Sequence, residues 1–186
     1  DNRLLQKQHI DIHFKGLDTY AKVYLNDQLL ITANNMFREW SADCKEFLKE
    51  GQNVLRIYFD SPIRHGLSLY DSLGYEVPVS ENDLSELGGL GNKRISPYIR
   101  KAPYHFGWDW GPRLVSSGIW RPVVLRGWDE AIIRNMRVFC QEILETKAMV
   151  ATSLMIESSA AAKATAVILV DQKVVQRKDI MLNEGI

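Results

Sequence analysis

Four of the five tryptophans, Trp108, Trp110, Trp120 and Trp128, fall within twenty-one residues. The densest part reads Ala102-Pro103-Tyr104-His105-Phe106-Gly107-Trp108-Asp109-Trp110-Gly111-Pro112-Arg113. In an extended chain Tyr104, Phe106, Trp108 and Trp110 share one face, and His105, Gly107 and Asp109 share the other. One reading makes the aromatics core and leaves His105 and Asp109 at the surface. The other starts from Gly107, Gly111 and Pro112, which would bend the chain sharply around Asp109 and project its carboxylate from a rigid aromatic base. Sugars are bound by such a combination. Aromatic faces stack on their C–H surfaces, and an ionised carboxylate accepts charge-assisted hydrogen bonds from their hydroxyls. Residue types alone leave both readings open.

Other chemistry finds less support. His9 and His13 lie four apart on a predicted strand and share a face, but no third ligand accompanies them, so they read as a solvated strand edge and no metal is expected. Gly88-Gly89-Leu90-Gly91-Asn92-Lys93 lacks the Gly-Lys-Ser/Thr ending and the strand-to-helix context of a phosphate loop, and reads as a flexible loop. Cys44 and Cys140 have no Cys-x-x-Cys spacing, which excludes zinc ribbons and redox motifs; both read as small buried hydrophobes. No cofactor is expected. Spacing in one chain does not identify a Ser/His/Asp arrangement.

The elements that must position these residues follow from pattern. Ile10, Ile12 and Phe14 alternate with Asp11, His13 and Lys15, the period of a half-buried strand. Tyr20–Leu25 alternates again, with Ala21, Val23 and Leu25 on one face, and Asn26-Asp27 is a hairpin turn before Leu29–Ile31. Asn53–Phe59 and Trp120–Arg126 are further strands; Asp43–Lys49 suggests a helical turn or two capped by Asp43. From Pro62 to Lys101 glycines and prolines interrupt any period, which predicts a long irregular excursion that lines something. After a boundary at Gly127–Glu130, short strands recur around Ile132, Met136 and Val138, over Ala148–Met155 and over Thr165–Val170, with Ser158–Ala166 as a turn. The pattern is all-β, with turn signals at sandwich spacing.

The chain has 186 residues, 23 basic and 23 acidic side chains, and 46% hydrophobic residues, the make-up of an ordinary globular protein. Zero net charge removes the electrostatic footprint of a nucleic-acid partner. No apolar run approaches the roughly 20 residues of a membrane span, and no secretory signal pattern is visible. The length is also too short for a (β/α) barrel, which alone takes at least about 200 residues. The part beyond Gly127–Glu130 falls well short of the roughly 100 residues of a complete immunoglobulin-like sandwich, and is expected to be cut off.

The run Arg100 to Arg113, then Ser117-Gly118-Ile119-Trp120-Arg121-Pro122-Val123, closely resembles the β-mannosidases of glycoside hydrolase family 2. Gly16-Leu17-Asp18-Thr19-Tyr20-Ala21-Lys22-Val23-Tyr24-Leu25-Asn26 and Asn34-Asn35-Met36-Phe37-Arg38 resemble the same family, so that the likeness covers roughly residues 10–128. The resemblance implies a jelly-roll galactose-binding-like sandwich over 1–128, lacking its first strands, followed by part of an immunoglobulin-like β-sandwich over 129–186. The catalytic (β/α)8 barrel, which in the family carries both glutamates, lies outside this chain, so no catalytic residue is assigned here. Asn183-Glu184 imitates the family's acid/base pair but comes too early in the chain.

In the family the Trp-Asp-Trp loop reaches over the barrel mouth and its aspartate binds hydroxyls of the terminal mannose. That role falls to Asp109; Trp108 would flank the sugar or buttress the loop, and Trp110 would bind or pack. His105 and Arg113 are candidates for orienting Asp109 or, equally, for a purely structural role, and Arg121 for an ion pair at an interdomain or core edge. The implied partners are a mannoside or manno-oligosaccharide and the barrel of the same chain, and the implied compartment is periplasmic, secreted or lysosomal. Exposed edge strands would favour pairing between copies, a homo-oligomer. The alternative is a stand-alone carbohydrate-binding module or lectin-like β-sandwich. A gene continuing into a barrel pattern with two well-placed glutamates separates the two.

Overall fold

Apolar residues at every second position build the first strands of the computed structural model, which describes residues 2–186. A single helical turn α1 (Asn2–Leu5) precedes β1 (His9–Phe14), β2 (Leu17–Asp18), β3 (Tyr20–Leu25), β4 (Gln28–Asn34), β5 (Trp40–Asp43) and β6 (Leu55–Asp60). Helix α2 (Pro62–Leu73) and a largely irregular stretch lead to β7 (Gly118–Ile119) and β8 (Val123–Trp128). Four longer strands follow: β9 (Ala131–Ile143), β10 (Ala148–Ser158), β11 (Ala162–Val170) and β12 (Lys173–Leu182). The fold is all-β, and it divides into two units, the first ending at Gly127 and the second running Trp128–Ile186.

In the first unit the sheets run in the orders β5-β1-β8, β4-β3-β6 and β2-β7. Strand β3 pairs antiparallel on both sides, setting Val23 opposite Ile31 and Ile57, and Ala21 opposite Ala33 and Phe59. These side chains meet Ile10, Ile12 and Phe14 of β1, with Leu17 and Cys44, in one buried cluster. The β3–β4 hairpin turns through Asn26 and Asp27 at φ 47° and 69°, the left-handed pair that matches strand twist. The Asn26 side chain also accepts from Val54 N at 2.9 Å and donates to Phe47 O at 2.8 Å, anchoring the approach to β6.

Several expectations change. Strand β1 is the centre of its sheet rather than an edge. The helical turns expected over Asp43–Lys49 shrink to one 3-10 turn, Lys45–Phe47, although the Asp43 carboxylate does accept from Lys45 N at 2.8 Å. Part of the supposed irregular excursion is the twelve-residue helix α2. It carries the standard end signals: Ser61 accepts from Arg64 N, Pro62 occupies the first turn, and Gly74 ends the helix at φ 69°. Glycine and proline density farther along masked them. Gly66 belongs in the helix because a Cβ there would lie 2.7 Å from Ile99 Cδ1. A second apolar cluster forms at that contact from Ile95, Ile99 and Phe106, with Ile63, Leu67 and Tyr70 packed against it.

The second unit consists of two antiparallel hairpins, β9–β10 and β11–β12. Their strands are longer than expected, and β11 already begins at Ala162, so the predicted turn over Ser158–Ala166 contracts to the few residues after Ser158. Cys140 is exposed, unlike the buried Cys44, because it sits on a two-stranded hairpin whose residues are exposed on both faces from Asn135 to Ile143.

Candidate functional site

The segment that the alternation would extend is not extended. Pro103 removes a backbone donor and fixes φ, and Pro103–Phe106 forms a 3-10 turn. Gly107 then leaves it at φ 131°, ψ 160°. Trp108 and Gly111 exchange backbone hydrogen bonds, 3.3 Å from Trp108 N to Gly111 O and 3.2 Å from Gly111 N to Trp108 O. Asp109 and Trp110 sit at the tip of that tight turn. The common aromatic face therefore dissolves. Phe106 alone is buried and joins the Ile95–Ile99 cluster, while Tyr104, Trp108 and Trp110 are 59%, 46% and 87% exposed.

The turn stands on a fixed base. Phe106 O accepts from Leu84 N at 3.0 Å, and a Cβ on Gly107 would lie 2.4 Å from Asn82 O. Below the tip, Leu114 N donates to His105 O at 3.0 Å. His105 Nδ1 lies 3.2 Å from Leu114 O, an atom that only accepts, so Nδ1 carries the proton. The imidazole also stacks on Tyr104, with centroids 4.9 Å apart. Asp109 is exposed and, among the described residues, makes no hydrogen bond or ion pair.

The structure does not bring the two predicted supporting residues onto Asp109. His105 is engaged with Leu114. The Arg113 guanidinium instead lies under Gly88, where a Cβ would come within 2.5 Å of its Cζ, and its buried Nε and Nη2 have no hydrogen-bond partner among the described residues. That contact gives Gly88 a structural use, and the segment that follows turns back on itself, with Leu90 N bonded to Ser85 O at 3.1 Å. Arg121 places its guanidinium 4.2 Å over the Trp120 ring. His9 and His13 face carboxylates instead of each other: His9 Nδ1 is 3.7 Å from Asp43 Oδ2, and His13 Nε2 is 2.6 Å from Glu39 Oε2.

Two open grooves flank the turn. One, of about 590 Å³, is lined by Tyr104, His105, Trp108, Trp110, Leu114 and Ser116. The other, of about 390 Å³, runs past Pro78, Asp83, Pro97, Lys101 and the opposite side of Trp108. Lys101 was not singled out from the sequence, since nothing in its neighbourhood marks a buried lysine. Its ammonium is fully buried, paired with the carboxylate of Asp18, and donates to Ser116 O at 2.7 Å. Burial pushes its pKa below the ordinary lysine value, and the Asp18 partner acts in the opposite direction. Asp18 in turn accepts from Thr19 Oγ1.

Residues 1–121 match the family described as glycosyl hydrolase 2 galactose-binding domain-like. Among curated proteins the chain is similar to β-mannosidase B of Thermothelomyces thermophilus, 38% identical over 115 residues, which are 61% of this chain and 12% of that protein. Its likeness to β-mannosidase B of Aspergillus terreus is 40% over 113 residues, 60% of this chain and 12% of that one. The chain thus spans about an eighth of these relatives' length. The solved structure of β-D-mannosidase from Dictyoglomus thermophilum superposes with a TM-score of 0.76 at 30% identity, over 100% of this chain and 22% of that one. β-Glucuronidase from Bacteroides uniformis, with a TM-score of 0.60 at 15% identity over 100% of this chain and 19% of that one, shares the fold.

Proposed function

Because the chain belongs to the glycosyl hydrolase 2 galactose-binding domain-like family, we propose that it is the non-catalytic, substrate-shaping part of a retaining β-mannosidase that releases terminal non-reducing β-D-mannose. In this reading residues 1–128 are the jelly roll, residues 129–186 begin an immunoglobulin-like sandwich, and the glutamates that cleave the bond belong to a barrel elsewhere in the complete protein. The observation that carries it is the Asp109 carboxylate, exposed and unpartnered among the described residues, at the tip of a turn between two exposed indoles. The resemblance in the Gly107–Gly111 run favours mannosides over the substrates of other branches of the family.

The role is binding energy rather than bond cleavage. Hydroxyls remote from the anomeric carbon donate to Asp109, and Trp108 offers its ring to the sugar's C–H face. Trp110, standing farther out, borders the same groove. Contacts that strengthen as the ring flattens toward the transition state are expressed in kcat. Hydrogen bonds to a charged acceptor contribute on the order of 1.5–3 kcal/mol. Asp109→Ala in the complete enzyme should therefore lower kcat/KM on an aryl β-mannoside roughly 10–100-fold. A wild-type value would sink the assignment. The 186-residue chain by itself should hydrolyse no mannoside and bind free mannose weakly; measurable turnover by it would overturn the non-catalytic role.

A further inference from the structure

We propose that Lys101 is a positioning residue: its buried ammonium ties the base of the loop between residues 102 and 115 to Asp18, and thereby holds the Asp109 carboxylate in place. The proposal rests on the sugar-binding role of Asp109 for its functional part and on geometry alone for its structural part.

The loop is closed at three levels. At the tip Trp108 and Gly111 exchange backbone bonds. In the middle Leu114 N donates to His105 O at 3.0 Å and His105 Nδ1 to Leu114 O at 3.2 Å. At the base the described residues make no such backbone rung; the Lys101 side chain makes it, donating to Ser116 O at 2.7 Å from the other end of the loop. The same ammonium pairs with Asp18, whose backbone is opposite Gly118 in the β2–β7 ladder. Asp18, Lys101, Ser116 and Gly118 thus form a closed circuit, with Leu17 of the main core one residue away. Chain entry is held as well, since Ala102 N donates to Met36 Sδ at 2.9 Å.

The exposures of the two charged side chains, 0% for Lys101 and 6% for Asp18, mean that neither is solvated by water. An ion pair withdrawn from solvent is costly unless its geometry is good, and it specifies one arrangement because any displacement leaves a bare charge. Apolar packing under an exposed loop would tolerate sliding. A charge pair linking residues 83 apart in the chain does not.

The test uses the complete enzyme. Lys101→Met leaves Asp18 charged and buried and is liable to unfold the domain, so the informative variant is the charge-neutral pair Asp18→Asn/Lys101→Met. Its fold is checked by melting, and all rates are taken well below the melting temperature. Amide exchange over Phe106–Gly111 is expected to accelerate about tenfold or more in the pair, as local opening becomes cheaper. kcat/KM on an aryl β-mannoside is expected to fall about tenfold, and by less than about twofold when Asp109→Ala is already present, because coupled residues are non-additive. Unchanged exchange in the loop overturns the proposal. An equal loss in both backgrounds overturns the action through Asp109, leaving a merely structural pair. If Asp109→Ala alone has no effect on kcat/KM, the sugar-binding reading has failed, and the exchange measurement, which involves no substrate, still upholds or overturns Lys101 as the anchor.

Discussion

Replacing Gly107 by alanine imposes two separable costs on the turn that carries Asp109. The first is backbone strain: φ 131° with ψ 160° is a region that L side chains rarely adopt, and holding one there costs on the order of 1–3 kcal/mol. The second is space. The new Cβ would lie 2.4 Å from Asn82 O and 2.6 Å from Leu84 Cγ. Asn82 cannot simply retreat, because Leu84 N is bonded to Phe106 O at 3.0 Å and Asp83 carries a buried network with Ser85 and Ser96. Overpacking of that kind costs about 1–3 kcal/mol. A combined destabilisation of ~3 kcal/mol is expected, in the lower half of the summed ranges because the Leu84 side chain can shift. Unfolding entropy of about 2.1 cal/mol/K per residue, applied to a unit ending at Gly127, then predicts a fall in Tm of roughly 11 °C. Calorimetry of the chain, following the transition of the first unit, gives the measurement. Gly89→Ala isolates strain, since φ is 71° and nothing lies within 4 Å of its Cβ; it should lose only about 4 °C, from roughly 1 kcal/mol. Gly118→Ala meets nothing and needs no unusual φ, so it should stay within about 0.5 kcal/mol of the parent. If Gly107→Ala melts no lower than Gly89→Ala, the close approach of the loop to Asn82 is wrong.

The aromatic run divides by role: Phe106→Ala should cost about 3–5 kcal/mol in urea denaturation, whereas Trp110→Ala, at an 87% exposed position, should stay within about 0.5 kcal/mol. Equal effects would restore a common packing face. The Cys44 thiol is pushed up to about 11 by burial, then by Asp43 and Asp11, so iodoacetamide at pH 8 should label the exposed Cys140 and spare Cys44; comparable labelling of both in the folded chain would contradict this. Asp60 accepts from Ser61 N and Arg64 and pairs with His65 at the start of α2, and its carboxyl is held below the ordinary value, first by the Ser61 bond. A depressed carboxyl stabilises above its unfolded pKa, near ~3.9, and that stabilisation fades as pH falls through the folded value. Melting between pH 6 and pH 3 should therefore be steeper in pH for the parent than for Asp60→Asn, and identical slopes would contradict it.

Much of the first unit could be read in advance because its signals are local. Ile10, Ile12 and Phe14 announce β1 through their period, and Asn26-Asp27 announces its hairpin because both residues tolerate the left-handed region. The sharp bend around Asp109 is of the same kind: Gly107 and Gly111 admit backbone angles closed to other residues, and Pro112 fixes its own φ, wherever they occur. The ends of α2 were equally local in Ser61-Pro62 and Gly74, and were obscured only by the irregular chain that follows.

Other features depend on partners distant in the chain. That β1 is central, that Phe106 alone of the four alternating aromatics is buried, and that Cys140 is exposed follow from which strands and loops arrive alongside them. Arg113 goes beneath Gly88 because only a residue without a Cβ leaves room for its guanidinium there. Lys101 and Asp18 are the clearest case. Each is a common charged residue in an unremarkable local setting, and their burial exists only once β2, the aromatic loop and Ser116 have closed around them. Residue types and spacing determined the strands, the bend and the residue at its tip, because short-range sterics act on neighbours. The anchoring of that bend was decided by tertiary structure, because burial of a charge is a property of everything that surrounds it.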